Sequence, residues 1–347
     1  MSDNPIDLLP PAVAEELTAA IAEAGIGADR DLVLRILATG AGLGMDLPGR
    51  LDLKIVSAAL EEMRAAFTLF APYADVPKVT IFGSARTRDR DPLYRQASDA
   101  AAALAERGWM AVTGAGPGIM QAAVEGAGPG RSLGLSIRLP FEEHPDAAVQ
   151  DEPNVVTMKY FFTRKLMLVK ESRGFICLPG GFGTLDEMFE LLTLQQTGKA
   201  EPSPIVLLDA SGGDFWTGLR RFVDEHLIPA GVISPDDFDR VLVTDSVDTA
   251  VEEITGFWRN YDSLRWVGKT LVLRLHHEPS DAEVASLNEQ FGELALEGDI
   301  AKSAPLRAER HDGDRLELPR LALRLDQFRV GDLHRLIRAI NTLPSAA

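Results

Sequence analysis

The spacing of apolar residues divides the chain into three stretches. Over residues 1–75, apolar positions such as Leu53, Val56 and Leu60 recur every three to four residues, which predicts amphipathic helices. In the middle of the chain, short apolar runs alternate with longer helical patterns, and a second set of strand and helix patterns follows near the C-terminus. We therefore predict a helical extension (1–75), a central domain (76–266) and a small C-terminal α/β module (267–347).

The central domain alternates strand and helix patterns in the order found in doubly wound α/β proteins. This order predicts a Rossmann-like, mostly parallel sheet with helices on both faces. Ligands in such folds bind at the carboxyl ends of the strands. The predicted strands are 79–82, 110–113, 133–137, 154–157, 175–178, 205–208 and 241–244. The predicted helices are 92–107, 117–126, 160–171, one from Thr184 onward, 214–226 and 246–260.

The C-terminal module has fewer elements. Strands are predicted at 270–275 and 321–325, and helices at 281–296 and 331–341. Ser280 is the predicted N-cap of the first of these helices, because its hydroxyl can accept a hydrogen bond from an unpaired backbone N–H. We expect this module to serve in regulation or assembly.

Three glycine-containing loops follow strands of the predicted parallel sheet. The carboxyl ends of parallel strands share one edge of the sheet, so these loops should converge there. Such a loop is suited to bind phosphate when a helix follows it, because the helix N-terminus has unpaired N–H groups and the positive end of the helix dipole. In chain order the loops contain Gly83 and Ser84; then Gly114, Gly116 and Gly118; then Gly180, Gly181, Gly183 and Thr184.

Each loop also has a purely structural interpretation. Thr184 and Glu187 have the spacing of a capping box, which stabilises many helices without binding anything. The middle loop lacks the Gly-x-Gly-x-x-Gly register of a dinucleotide site, and Pro117 suits the first position of a helix. A tight turn with close helix packing therefore competes with nucleotide contact in the middle loop.

The predicted helix over residues 160–171 is mostly apolar but contains Arg164 and Lys165. A charge in apolar surroundings is costly unless it is paired, and adjacent helix positions point in different directions. At least one of these cations should therefore face an acidic group or an anion. For Phe161 and Phe162, packing in the core is the preferred interpretation over stacking on a nucleotide base.

These motifs together resemble those of a known enzyme family. The Arg164-Lys165 pair, followed by Pro-Gly-Gly-x-Gly-Thr-x-x-Glu ending at Glu187, resembles the signature of the LOG (Lonely Guy) family. Members of that family are nucleoside 5'-monophosphate phosphoribohydrolases once mislabelled lysine decarboxylases. The resemblance extends over residues 78–260 and implies that Arg164 and Glu187 are the catalytic residues. Ala115 and the residues 161–163 depart from the common family pattern, which leaves the base preference open.

The resemblance implies hydrolysis of the N-glycosidic bond of AMP or a cytokinin ribotide to free base and ribose 5-phosphate. A carboxylate can stabilise the positive charge that develops on the sugar and can activate the attacking water. We expect Glu187 to be ionised as a base, because a helix first turn favours negative charge. The glycines of the three loops, with Ser84, Thr184 and Lys165, are the predicted substrate-binding residues. No cofactor is implied, and relatives of this kind form dimers or dimer-based assemblies.

The amino-acid composition limits the classes of binding partner that the protein can have. With 46% hydrophobic residues and a formal charge of −17, the 347-residue chain is typical of a soluble protein and unsuited to general binding of nucleic acid or anionic membranes. The six histidines show no metal-ligand spacing. The single cysteine, Cys177, is predicted to be a small core residue. With no signal-peptide pattern at the N-terminus, we expect a cytoplasmic protein. The apolar surface of the helix over 160–171 and of the helix from Thr184 exceeds what one sheet face needs, which predicts a homo-oligomer.

Two competing functions stay open at this stage. A non-catalytic nucleotide-binding or sensor protein could use the same phosphate loops without turnover. Lysine decarboxylation is disfavoured, because that chemistry needs a cofactor such as pyridoxal phosphate on a lysine, and no motif marks such a site. The acidic stretch 141–153 is predicted to be a solvated surface loop, with a lid over the site as the alternative.

Overall fold

The computed structural model describes residues 4–139, 153–325 and 330–346. The chain divides into two compact units, Met1–Ala65 and Ala66–Ala347. Helices α1 (Pro11–Glu23), α2 (Arg30–Met45) and α3 (Arg50–Phe70) confirm the helical periodicity of the N-terminal stretch. The predicted acidic loop lies, apart from Pro153, outside the described residues. Among the helices of the described ranges, none is both long enough and apolar enough to cross a bilayer.

The second unit contains a seven-stranded parallel sheet, as the alternating pattern predicts. The strand order is β4-β3-β2-β1-β5-β6-β7, with parallel pairing throughout. The strands are β1 (Lys78–Phe82), β2 (Met110–Thr113), β3 (Ser132–Ile137), β4 (Val155–Met158), β5 (Gly174–Cys177), β6 (Ile205–Leu208) and β7 (Val241–Thr244). The helices between them are α4 (Pro92–Glu106), α5 (Ile119–Ala127), α6 (Phe161–Lys170), α7 (Phe182–Gln196), α8 (Phe215–Phe222) and α9 (Val247–Gly256).

Helices cover both faces of this sheet. Alternate strand residues such as Val79 and Ile81 join the apolar residues of α4, α5 and α9 in one buried cluster. Because successive strand side chains point to opposite faces, Thr80 lies on the other face. There its hydroxyl donates to the backbone oxygen of Leu168 in α6 at 3.1 Å. The α/β fold class predicted from the sequence is confirmed.

The order of the strands places a topological switch point between β1 and β5. From β1 the chain builds outward through β2, β3 and β4, and from β5 it builds outward in the other direction through β6 and β7. The loops after β1 and β5 therefore leave adjacent strands toward opposite sides and open a crevice between them. These are the loop that contains Ser84 and the loop that contains Gly180.

A second sheet of four antiparallel strands follows, in the order β10-β11-β9-β8. Its strands are β8 (Tyr261–Val267), β9 (Thr270–Leu275), β10 (Ala301–Lys302) and β11 (Arg320–Leu323), and its helices are α10 (Asp281–Phe291), α11 (Arg307–Asp312) and α12 (Val330–Asn341). Ser280 caps α10, as predicted, by accepting from the N–H of Glu283 at 3.3 Å.

Strands β8 and β10 and helix α11 were not predicted from the sequence. The helix predicted to run to residue 260 ends at Gly256, and the chain enters β8 at Tyr261. The side-chain oxygen of Asn341 accepts hydrogen bonds from the backbone N–H groups of Asn260 and Tyr261, both at 2.8 Å. This contact joins positions about 80 residues apart, so no local pattern could have revealed where the helix gives way to the strand.

The start of α5 also differs from the prediction. Gly118, at φ +70°, is the N-cap, and the helix begins at Ile119, so Pro117 does not occupy the first helical position. A Cβ on Gly118 would lie 2.4 Å from the backbone oxygen of Ser84. Both the positive φ and this close approach require glycine, and they hold α5 against the loop after β1.

Candidate active site

A cavity of about 1550 Å³ lies where the loops after β1, β2 and β5 meet. Of the twelve predicted site residues, ten line it and two, Lys165 and Gly118, do not. The three loops converge, as the parallel topology requires. The ten residues are Gly83, Ser84, Gly114, Gly116, Arg164, Gly180, Gly181, Gly183, Thr184 and Glu187.

Arg164 is buried at the wall of this cavity by contacts from three elements. Its Nε donates to the backbone oxygen of Leu135 at 2.7 Å, and one terminal nitrogen donates to the oxygen of Gly114 at 3.4 Å. The other terminal nitrogen lies 3.5 Å from the Oε1 atom of Glu187. A Cβ on Gly114 would lie 1.9 Å from the guanidinium, so glycine is required there. The guanidinium is thus held in one orientation before any ligand binds.

Glu187 faces Arg164 from α7, and its side chain is only 14% exposed. Burial raises the pKa of Glu187 to about 7, because a carboxylate loses its hydration there, while the charge of Arg164 opposes the rise. Near neutral pH both protonation states of Glu187 are therefore populated, whereas a first-turn position led us to expect mainly the ionised form. Helix α7 begins at Phe182, which places Glu187 in the second turn, where the helix dipole acts weakly.

The capping box predicted for Thr184 and Glu187 is also absent from α7. Gly181 is the N-cap residue, and no side chain forms a capping hydrogen bond there. Thr184 is 5% exposed, and a Cβ on Gly180 would lie 2.2 Å from its hydroxyl oxygen and 3.1 Å from the backbone nitrogen of Ser84. The Thr184 hydroxyl and the Ser84 N–H therefore lie close to Gly180 at the start of α7, in a small space that a side chain at position 180 would fill.

The loop after β2 is held in a strained conformation. Ala115 has φ +50°, a region that residues with a Cβ seldom adopt. Its N–H donates to the hydroxyl of Thr113 at 3.1 Å, and a Cβ on Gly134 would lie 2.8 Å from the Ala115 methyl group. This methyl group, at one of the positions that departs from the family pattern, lines the cavity above β3.

Lys165, the second cation of the pair, points elsewhere. Its ammonium group lies 3.0 Å from Asp186 and 2.5 Å from Glu190, both on α7. These hydrogen bonds to the two carboxylates raise the pKa of Lys165 against the opposing effect of burial. The expectation that the cations would face acidic groups is confirmed for both Arg164 and Lys165. Lys165 joins α6 to α7 outside the lining of the cavity.

Two aromatic residues differ from their predicted placement. Phe161 and Phe162, for which core packing was preferred, are both 55% exposed. They occupy the first turn of α6, whose buried residues are Thr163, Arg164, Met167 and Leu168. Phe161 lines the cavity, and Phe162 stacks on Tyr160 with ring centroids 5.5 Å apart. Cys177 is buried and free, as predicted.

Two charged residues at the cavity were missed by the sequence analysis. Arg86 lies two positions after Ser84 in the loop that follows β1. Glu125 lies on α5 and accepts from the hydroxyl of Tyr94 at 2.8 Å and from Gln121 at 2.9 Å. The signal for Arg86 was its position in the same short loop as Ser84. Glu125 had no signal, because only the packing of α5 along the crevice brings it to the cavity.

The chain is similar to a known family and to several known proteins. A family model described as "possible lysine decarboxylase" matches residues 118–254. The chain is 32% identical to the cytokinin riboside 5'-monophosphate phosphoribohydrolase of Mycobacterium marinum over 163 residues, which are 46% of this chain and 84% of that protein. The protein of the same name from Mycobacterium tuberculosis is also 32% identical over 163 residues, with 83% of its length covered.

A plant relative matches over a shorter region. Cytokinin riboside 5'-monophosphate phosphoribohydrolase LOG1 of Arabidopsis thaliana is 40% identical over 72 residues, which are 21% of this chain and 32% of that protein. The two mycobacterial matches, by contrast, span most of each relative. On the strength of those matches, the chain belongs to the LOG family of phosphoribohydrolases.

Proposed function

We propose that the domain over residues 76–266 hydrolyses the N-glycosidic bond of nucleoside 5'-monophosphates in the cytoplasm, releasing free base and ribose 5-phosphate. The observation that carries this proposal is the buried pair of Arg164 and Glu187, 3.5 Å apart beside the glycine loop of α7. AMP or a cytokinin ribotide is the substrate type we propose. The names of the mycobacterial and plant relatives support the same class of reaction.

In this reaction the bond between the base nitrogen and C1' of the ribose breaks, and positive charge develops on the sugar. The Glu187 carboxylate stabilises that charge and accepts a proton from the water that attacks C1'. The base leaves with the bonding electron pair and gains a proton. A carboxyl group with a pKa of about 7 suits this task, because both of its protonation states are accessible near neutral pH.

Arg164 acts on Glu187 more than on the substrate. Its nitrogens already donate to the backbone oxygens of Leu135 and Gly114, so little of its planar fork is left for a phosphate. In this position the guanidinium orients the Glu187 carboxylate and favours its ionised form. We therefore assign the 5'-phosphate to the N–H groups of the glycine loop and the Thr184 hydroxyl, at the N-terminus of α7.

The test is incubation of the purified protein with AMP, GMP, IMP, CMP, UMP and an N6-prenylated AMP, followed by chromatography. We expect at least one of the purine monophosphates to yield free base and ribose 5-phosphate in equal amounts. The relative rates then give the base preference. A protein that binds these nucleotides with measurable affinity but releases no base from any of them would support the non-catalytic sensor instead and would contradict the proposed reaction.

We further propose that the exposed apolar side chains of α6 and α7 form an interface with a second copy of the chain. Phe162 and Leu166 on α6 and Phe189 on α7 are 55%, 48% and 40% exposed, and Lys165 joins these two helices, which also carry Arg164 and Glu187. Exposed apolar side chains gathered in this way mark an interaction surface. A symmetric dimer would bury these side chains against a second copy, as the resemblance to the family implies.

Sedimentation equilibrium tests this interface. The protein is expected to have at least twice the monomer mass, and Leu166→Glu is expected to lower that mass, because the new carboxylate would be buried without a partner. Leu296→Glu is the matched control. Leu296 is 63% exposed and lies in the part of the chain that forms the second sheet. If the parent is monomeric, or if Leu166→Glu retains the parent's mass, the proposed interface is wrong.

A further inference from the structure

The charges that line the cavity are almost all neutralised within the protein. Arg164 pairs with Glu187, and Glu125 accepts hydrogen bonds from Tyr94 and Gln121. Arg86 is different. In the portion of the chain described by the structure, its guanidinium forms no hydrogen bond or ion pair, although it lines the same cavity. A cation left free at the wall of a ligand cavity is available for an anion.

The turn that carries Arg86 is held rigidly beside the glycine loop of α7. The Ser84 hydroxyl oxygen accepts from the backbone N–H of Arg86 at 3.1 Å, and the Ser84 backbone oxygen accepts from the N–H of Ile119 at 3.2 Å. On its other side, the Ser84 nitrogen would lie 3.1 Å from a Cβ on Gly180. The base of the Arg86 side chain is therefore anchored next to the space bordered by Ser84, Gly180 and the Thr184 hydroxyl.

A phosphate monoester in that space needs more positive charge than α7 supplies. Near neutral pH it carries a charge of about −1.5 to −2, whereas a helix N-terminus contributes roughly half a positive charge. The charge of Arg164 is offset by Glu187. A buried hydroxyl and backbone N–H groups provide hydrogen bonds but no net charge. Arg86 is the remaining cation on the cavity wall of the described residues.

We propose that Arg86 binds the 5'-phosphate of the substrate from the β1 side of the crevice and makes the enzyme select nucleotides over nucleosides. This inference rests on the proposed function, because it names the residue that recognises the phosphate of that substrate. The planar guanidinium can donate two parallel hydrogen bonds to a phosphate, which an ammonium group cannot. Arg86 is thus a specificity-determining residue, separate from Glu187, which acts at the glycosidic bond, and from Arg164, which orients Glu187.

The test compares Arg86→Ala with Arg88→Ala. Arg88 is an exposed arginine of the same loop that does not line the cavity, so this control matches the change in charge. The first measurement is the calorimetric Kd of ribose 5-phosphate, which does not require turnover. We expect Arg86→Ala to weaken this binding by about 10-fold to 100-fold, the range for the loss of a hydrogen bond to a charged group. Arg88→Ala should bind like the parent.

The second measurement is kcat/KM for AMP and for adenosine. Arg86→Ala is expected to lower the value for AMP by about 10-fold or more and to leave the value for adenosine unchanged, with Arg86→Lys recovering part of the loss. Equal losses for AMP and adenosine, or a Kd for ribose 5-phosphate within about twofold of the parent's, would overturn the role of Arg86. A parent that binds ribose 5-phosphate through Arg86 but hydrolyses no monophosphate would instead refute only the proposed reaction.

Discussion

Replacement of Glu187 with glutamine is expected to lower kcat/KM for a nucleoside monophosphate by about 100-fold or more, the usual contribution of a general base. Glutamine keeps the size of the side chain and can still contact Arg164, but it neither accepts a proton from water nor stabilises positive charge on the sugar. Initial rates of base release measure the loss. Rates for Glu187→Gln within about tenfold of the parent's would rule out this residue as the base.

Asp186→Asn is the matched control for Glu187→Gln. Asp186 is the preceding residue on α7, its side chain is 61% exposed and it pairs with Lys165 outside the cavity. This variant also loses one carboxylate from the helix, yet its rate should match the parent's. A large loss in the control would show that the charge of α7, rather than the carboxylate of Glu187, governs the rate.

The pH dependence is a second readout of the same carboxylate. Burial raises the pKa of Glu187 to about 7, so kcat/KM should rise with pH up to about 7 and level off above it, as the ionised base accumulates. An inflection near 4.5, the ordinary value for glutamate, would mean that Glu187 is not buried in this way. The inflection should be absent from whatever activity Glu187→Gln retains.

The raised pKa of Glu187 also allows an effect of its replacement on catalysis to be distinguished from an effect on the stability of the fold. Because the folded-state pKa of Glu187 lies above its unfolded value, its contribution to stability is present below pH 4.5 and is lost as the pH rises through about 7. At pH 8 the buried charge therefore destabilises the fold. Glu187→Gln should then be at least as stable as the parent in urea at pH 8, so that its lost activity is not a folding defect.

Replacement of Glu309 with alanine is expected to lower the free energy of unfolding of the second sheet by about 3 to 5 kcal/mol. The Glu309 side chain is fully buried, and its Oε1 atom accepts from Nε and Nη2 of Arg274 at 3.1 and 2.9 Å. The same oxygen lies 3.7 Å from Nε of Arg320, which is also buried. Without the carboxylate, two arginines lose a partner that water cannot replace.

Hydrogen exchange of the β9 and β11 amides measures this effect locally, and urea unfolding measures it for the whole chain. Glu317→Ala is the control, because Glu317 is exposed on the same stretch of chain, and surface changes of that kind shift stability by about 0.5 kcal/mol or less. If Glu309→Ala leaves the exchange rates of these strands at the parent's values, the ion pairs do not stabilise the sheet.

The prediction of the parallel sheet rests on local patterns, and the structure confirms it. Short apolar runs form β1, β2, β5 and β6, whose residues are buried throughout, and the helical patterns between them form the covering helices. The antiparallel sheet was predicted less completely. Strand β8 pairs with β9 with a register shift between Tyr261 and Ser263, and such an irregular strand has no simple alternation to reveal it.

The candidate site was also predicted from the sequence only in part. Glycine spacing, the Arg164-Lys165 pair and the family resemblance together named ten of the residues that line the cavity. They were not enough to separate the roles of the two cations, because adjacent helix positions look alike in sequence. The partners of Arg164 come from β3, the loop after β2 and α7, and those of Lys165 come from α7 alone.

The amino-acid sequence by itself determined the class of fold, the edge of the sheet at which the glycine loops meet and the family, since these depend on periodicity and on motifs that are local in the chain. Only the tertiary structure decided that Glu187 is buried with a pKa of about 7, that Phe161 and Phe162 are exposed and that Arg86 lines the cavity without a partner among the described residues. Burial and pairing depend on which distant segments pack together, and that information is not local to any residue.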